Sequence, residues 1–303
     1  MSRFTEIASG LQFPEGPVAM RDGSVLLVEI RRGTLSRAWP GGRVEVVAEL
    51  GGGPNGAAIG PDGRCYVCNN GGFEWNEYNG ARIPGDQPAD YAGGRIEAVD
   101  LATGAVETLY THCDGVPLKG PNDLVFDRHG GFYFTDLGKT RPRDMDRGAV
   151  YYAKADGSFI REVLHGCTTP NGVGLSPAED RLYVAETTTA RLMAYRITAP
   201  GEIEHVMGPE AMLAGSANYQ FFDSLAVDAA GNVCVATILN GGITIVPPDG
   251  RGVRHVPVDD PMTTNICFGG RDLRTAYITC SFGGRLLACE WERPGLALNF
   301  LNR

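Results

Sequence analysis

The feature that most constrains this chain is a pattern that recurs six times: a polar residue, a short apolar run, a turn holding Gly or Asp, then an alternating apolar strand. The copies are PEGPVAMRDGSVLLVE (14–29), PNGAAIGPDGRCYVCN (54–69), PNDLVFDRHGGFYFTD (121–136), PNGVGLSPAEDRLYVAE (170–186), FDSLAVDAAGNVCVAT (222–237) and TNICFGGRDLRTAYITC (264–280). Each carries a β-hairpin signature, two strand-like runs around a turn, with one extra turn residue in the fourth and sixth. Equivalent positions are 40, 67, 49, 52 and 42 residues apart. The gaps hold further strand-like runs: GRIEAVD (94–100) and AVETLY (105–110), RLMAYRIT (191–198), GGITIVP (241–247) and RHVPV (254–258). Four antiparallel strands per unit and six units predict an all-β, six-bladed β-propeller forming a single domain over residues 1–303. FTEIASGLQFPEG (4–16) is similar to VEVVAELGGGPNG (44–56), whose first part is the outer strand of a blade. The N-terminal segment is therefore expected to add the last strand of blade six beside GRLLACEW (284–291), closing the ring and covering a sheet edge.

Composition agrees, because 42 Gly and 19 Pro interrupt almost every stretch long enough for a helix. The net charge of −9, with no basic run longer than Arg31-Arg32, speaks against nucleic acid or an anionic membrane as partner and for a small ligand or a metal ion. MSRFTEIASGLQF has neither the basic nor the apolar stretch of a signal peptide, and no run approaches a membrane span, so a cytoplasmic location is expected. The eight cysteines sit mostly in apolar strand-like runs, as buried thiols would. Cys65 and Cys68 form a C-x-x-C pair, but an odd step along a strand points their side chains to opposite faces.

In a propeller the first strand of each blade lines the central channel. The polar residues opening the copies, Glu15, Asn55, Asn122, Asn171, Asp223 and Asn265, should therefore converge. A turn preference explains any one of them. It does not explain six carboxylates or amides, with no Lys, Arg or His, at one position around a ring. Oxygen donors without thiolate or imidazole select a hard divalent cation, calcium first, with zinc and manganese as alternatives.

The segments FPEGP, GPNDLVFD, TTPNGVGLSP and DSLAVDAAGN, in this order and over essentially the whole chain, resemble the SMP-30/gluconolactonase family, also called regucalcin-like. The resemblance implies a six-bladed propeller with a divalent metal at its axis and hydrolysis of a lactone. It implies Glu15, Asn171 and Asp223 as metal ligands, with Asn122 as a fourth ligand or a substrate contact. Ser224 matches the Asp-Ser pair of some bacterial lactonases of the family. One position departs: sugar-lactonase members often carry Arg two residues before the third-blade Asn, and here Gly120 stands there. Lys119 is adjacent but lacks the planar two-point contact of a guanidinium.

The residues closing the second strands, Glu29, Asn69, Asp136, Glu186, Thr237 and Cys280, should rim the same end of the channel, or else be solvated strand ends. The long segment 70–92, with Trp75 and Tyr78, is expected to form a lid. Tyr219, Phe221 and Phe222 before Asp223, together with Phe282, should add aromatic walls suited to a partly apolar substrate. The substrate-contact candidates are thus Asn122, Lys119, Trp75, Tyr219, Phe222 and Asp136. Lactone opening needs a polarised carbonyl and an activated water, and Asp223 is the candidate general base. No G-x-S-x-G elbow or H-E-x-x-H helix offers another route. The histidines at 112, 129, 165, 205 and 255 read as surface residues, with His112 closest to the channel mouth. Two alternatives stay open: a phosphotriesterase or other esterase on the same calcium ring, and a non-catalytic ligand-binding propeller with a structural metal. The oligomeric state is left open as well.

Overall fold

The computed structural model describes residues 4–302 apart from 205 and 207, so His205 lies outside the described residues. Its strands form six antiparallel blades around one axis. Blade one is built from Pro14–Ala19, Val25–Glu29, Thr34–Ala38 and Val44–Glu49. In every blade the first strand of a hairpin is innermost, so the six repeats of the sequence become the six inner pairs. The apolar residues of each pair pack against the neighbouring blades, which is why nearly every inner position is buried. Among the described residues there is no α-helix, only a one-turn 3-10 helix at Gly208–Ala211. It interrupts the outer edge of blade four, where Glu202–Ile203 and Met212–Gly215 share the pairing to Arg191–Ala199. Among the described residues no helix is long and apolar enough to cross a membrane.

Blade six closes the ring. Thr5–Ala8 pairs antiparallel with Arg285–Glu290, in the register Thr5 opposite Ala288 and Glu6 opposite Leu287. The far end of the channel is also covered, by the C-terminal segment. Leu296 N donates to Val227 O (2.9 Å), Arg21 Nε to Leu301 O (3.0 Å) and Asn299 Nδ2 to Phe126 O (3.1 Å). Between this segment and the axis lies a cavity of about 110 Å³, lined among others by Val18, Phe126, Leu175, Ile266 and Leu296. The channel therefore has an apolar floor of the chain's own making.

Cys65 and Cys68 are buried in different cores, Cys65 facing blade one and Cys68 facing blade three, as the odd step along a strand requires. All eight cysteines are free and buried. Burial pushes the Cys65 thiol up to about 12, which leaves it un-ionised and inert.

Candidate functional site

Each inner strand breaks register where its polar residue sits: between Glu15 and Val18, Pro54 and Ala57, Pro121 and Leu124, Pro170 and Val173, Phe222 and Leu225, and Thr263 and Asn265. A bulge inserts a residue and re-aims the side chains beside it. Repeated six times, it turns the axial residues away from the pleat. Small residues then let neighbouring strands approach: a Cβ on Gly56 would lie 2.6 Å from Asn122 O, and one on Gly172 would lie 2.8 Å from Asp223 O.

The axial residues are all buried and partly tied to one another. Glu15 Oε2 accepts from Gly16 N (2.6 Å) and Asn265 Nδ2 (2.7 Å). The Asn171 amide donates to the Asp223 carboxylate and to Thr187 Oγ1 (3.0 Å), while its Oδ1 accepts from Ser224 Oγ (3.3 Å). Two acceptors are left over: Glu15 Oε1 and Asn122 Oδ1 are buried without a hydrogen-bond partner. Orphaned buried oxygens are costly and rare in a native protein.

The electrostatics point the same way. Burial, then the charge of Asp223, holds the Glu15 carboxyl well above its ordinary range. Burial likewise raises Asp223 to about 8. A third carboxylate, Asp123, is raised to about 7 by burial and accepts from Leu124 N (2.9 Å). Three buried carboxylates and two donorless oxygens fit an oxygen-seeking divalent cation held by Glu15, Asn122, Asn171 and Asp223. Among the described residues no three His, Cys, Asp or Glu side chains are grouped so that they could hold a metal ion by themselves, so amide oxygens would have to complete the set.

Four of the six residues closing the second strands are buried and accept from backbone N–H groups. Asp136, expected to contact substrate, accepts instead from three backbone N–H groups, Lys119 (2.7 Å), Gly120 (2.6 Å) and Gly138 (2.9 Å), which engages both of its oxygens. Glu29 takes Gln12 N (2.8 Å), Asn69 takes Gly53 N (2.9 Å) and Glu186 takes Thr168 N (2.8 Å). Each thus pins the segment entering its own blade's inner strand. These residues are buried anchors and not solvated strand ends. Phe222 also changes role: its ring is in the core between blades four and five, against Tyr183 and Val235. Tyr219 is 86% exposed, its ring edge-on to Phe221 at 5.5 Å. Lys119 has an exposed side chain and contributes its backbone to the site's frame. His112 is exposed on a short ribbon with Val116–Pro117.

The segment 70–92 does form a separate structure. Trp75–Tyr78 and Ala81–Pro84 make a hairpin, and Trp75 packs edge-on to Phe13 of blade one at 5.4 Å. Its other end is held by blade three, through Gln87 N to Thr140 O (2.8 Å) and Tyr91 Oη to Lys119 O (2.5 Å). The segment therefore spans from blade one to blade three. Phe13 and Lys139 in this region, and Asp123 in the axial ring, have no place among the candidates read from the sequence. Asp123 had a signal, since PND in copy three replaces the PNG of copies two and four.

The SMP-30/Gluconolactonase/LRE-like region matches residues 13–282. The chain belongs to this family. It is 27% identical to the gluconolactonase of Zymomonas mobilis over 308 aligned positions, covering 91% of this chain and 78% of that protein. It is 30% identical to the lactonase drp35 of Staphylococcus haemolyticus over 252 positions, covering 82% and 70%. It is 25% identical to the diisopropyl-fluorophosphatase of Loligo vulgaris over 325 positions, covering 96% and 93%.

Proposed function

We propose that this protein is a metal-dependent hydrolase that opens a lactone or related cyclic ester at the propeller axis. The observation that carries the reading is the pair of buried, donorless oxygens, Glu15 Oε1 and Asn122 Oδ1, in a ring that also holds Asn171 and Asp223. Membership in a family with gluconolactonase and lactonase relatives supports the same reaction. The cation, calcium first, would be held by Glu15, Asn122, Asn171 and Asp223; when bound it supplies Lewis acidity to the substrate carbonyl and balances the oxyanion charge.

The chain's own groups do the rest. Asp223 takes the proton of the attacking water, a role open to a ligating carboxylate that keeps one oxygen free. The water oxygen bonds to the carbonyl carbon, the ring C–O bond breaks, and the leaving alkoxide recovers a proton to give a hydroxy acid. Asn171, donating to Asp223, fixes the orientation of that carboxylate. The segment 70–92 shields the mouth, and Trp75 is the aromatic surface it offers to a substrate. Gly120, where sugar-lactonase members often carry Arg, leaves no guanidinium for sugar hydroxyls; a Cβ there would lie 2.5 Å from Gly138 O. This favours a lactone with an apolar substituent. Eight free, buried cysteines suit a reducing cytoplasm.

The test is acid release from a panel of sugar, alkyl and aryl lactones, in EDTA and after adding back calcium, manganese or zinc. Chelation should abolish turnover and one metal should restore it, while Asp223→Ala and Asn171→Ala stay inactive in every metal. Full turnover by either variant in EDTA would overturn the proposal. The fluorophosphatase relative favours one second reading, attack on phosphorus at the same ring, and a fluorophosphate ester in the panel decides between them.

A further inference from the structure

Lys139 is one of only three lysines in a chain that otherwise uses arginine, and its residue is 2% exposed. It leaves the end of the inner hairpin of blade three and enters the segment 70–92. Its Nζ donates to Asn70 O (3.0 Å), Gly72 O (2.5 Å) and Asn70 Oδ1 (3.5 Å). The ammonium also sits 4.2 Å from the Phe73 ring centroid and 5.4 Å from that of Tyr91. All of these partners belong to the segment 70–92. The nearby carboxylates are engaged elsewhere: Asp136 by three backbone N–H groups, and Asp146 by Arg141 and the backbone N–H of Lys139. Asn70 continues the connection inward, since its Nδ2 donates to Asn55 Oδ1 (3.3 Å) in the axial ring.

We propose that Lys139 is a positioning residue, a latch that holds the segment 70–92 closed over the axial site and joins it through Asn70 to the ring. A lysine suits this task because three donors on a compact head can reach two backbone carbonyls and a side-chain oxygen at once, whereas a planar guanidinium would need a wider pocket. The aromatic faces supply the remaining electrostatic partner for a charge buried without a carboxylate contact. Burial brings the amine down to about 8, so it keeps its charge at neutral pH.

The role as a lid rests on the lactonase reading, but the latch can be tested without substrate. The bond Arg82–Ile83 lies in the lid hairpin, and trypsin can cut it only when the hairpin opens. In Lys139→Met the carbonyls of Asn70 and Gly72 lose their buried donor, so cleavage at this bond, followed by mass spectrometry, should accelerate about tenfold or more. The urea midpoint should fall only by the stability the latch itself supplies, and cleavage of bonds that open without the lid should hold. With a turned-over lactone, the same variant should raise KM several-fold while kcat changes little. Phe73→Leu, which removes the ring under the ammonium and leaves all three acceptors, should give a smaller acceleration and serves if Lys139→Met does not fold. Cleavage of Arg82–Ile83 at the wild-type rate in folded Lys139→Met overturns the latch, and so does acceleration spread evenly over the chain. Absence of turnover in every variant, with lid cleavage still accelerated, would sink the lactonase reading and leave the latch standing.

Discussion

Gly172→Ala tests whether the axial ring depends on the close approach of blades four and five. The new Cβ would lie 2.7 Å from Leu225 N, 2.8 Å from Asp223 O and 2.8 Å from Ser224 C. Ordinary contact is about 3.5 Å, so the inner strands must separate by about 0.7 Å, and the obstructing atoms are backbone that cannot rotate aside. Those strands carry Asn171 and Asp223 at the point of contact. Overpacking of this kind costs about 1–3 kcal/mol of stability. A misplacement approaching 1 Å at reacting groups costs up to ~100-fold in rate, so roughly 10- to 100-fold is expected here. Gly174→Ala on the same strand is the control: its Cβ would meet Leu225 Cδ1 at 2.7 Å and Val227 Cγ2 at 3.3 Å, and these methyl groups can turn away. It should cost less than Gly172→Ala, toward the lower end of the same range of about 1–3 kcal/mol, and leave turnover within a few-fold of wild type. Urea unfolding and lactone hydrolysis in excess metal would be measured on both. Wild-type turnover by Gly172→Ala would refute the argument, as would equal inactivation by Gly174→Ala.

Asp136→Ala should lower stability by about 3 kcal/mol in urea unfolding, because three backbone N–H groups lose their acceptor, while metal affinity changes less than tenfold; a selective loss of substrate binding with stability intact would restore the substrate-contact role. Tyr219→Ala should leave KM within a factor of about two, given the 86% exposure of the residue, and a large rise in KM would return it to the site. In EDTA the protein should lose stability as pH rises from about 4 to 8, because Asp223 and Glu15 have folded-state pKa values above their unfolded ones and the native state therefore holds their protons longer. Thermal unfolding across that range, with and without calcium, checks this; an equally steep fall in saturating calcium would count against a cation at the ring.

Much of this architecture was legible because it is local. Hairpins 14–29 and 170–186 announce themselves by strand alternation around short turns, and the observed strands Pro14–Ala19, Val25–Glu29, Pro170–Leu175 and Arg181–Glu186 fall within those bounds. The axial set was legible for a related reason, since one position repeated six times shares one environment. What could not be read depends on contacts between distant segments. Asp136 and Glu186 resemble exposed strand ends in sequence, and only the path of residues 119–120 and 168 over their blades gives them backbone donors. Phe222 precedes an axial residue, as Pro14 does, but the register of its strand directs the ring into the core instead of the channel. Lys139 carries no motif at all; its meaning arises where a loop of blade three meets the start of a segment inserted in blade two.

The axial ring also shows why a chain would place amides where it could have placed more acids. Every ionised carboxylate brought to this depth pays desolvation and repels the others, as the upward displacement of Glu15, Asp123 and Asp223 already records. Asparagines at 55, 122, 171 and 265 supply oxygen without adding charge, and they also donate: Asn265 to Glu15 (2.7 Å) and Asn171 to Asp223. Glu15 and Asp223 alone match the charge of one divalent cation, so amides can complete a coordination sphere while the site stays near neutrality. Substituting Asn122 by Asp would therefore tighten a bound cation only at the expense of the metal-free fold, because a fourth acidic group would join Glu15, Asp123 and Asp223 whenever the cation leaves. An all-acid ring would have to fold against its own repulsion, whereas a mixed ring carries less of it.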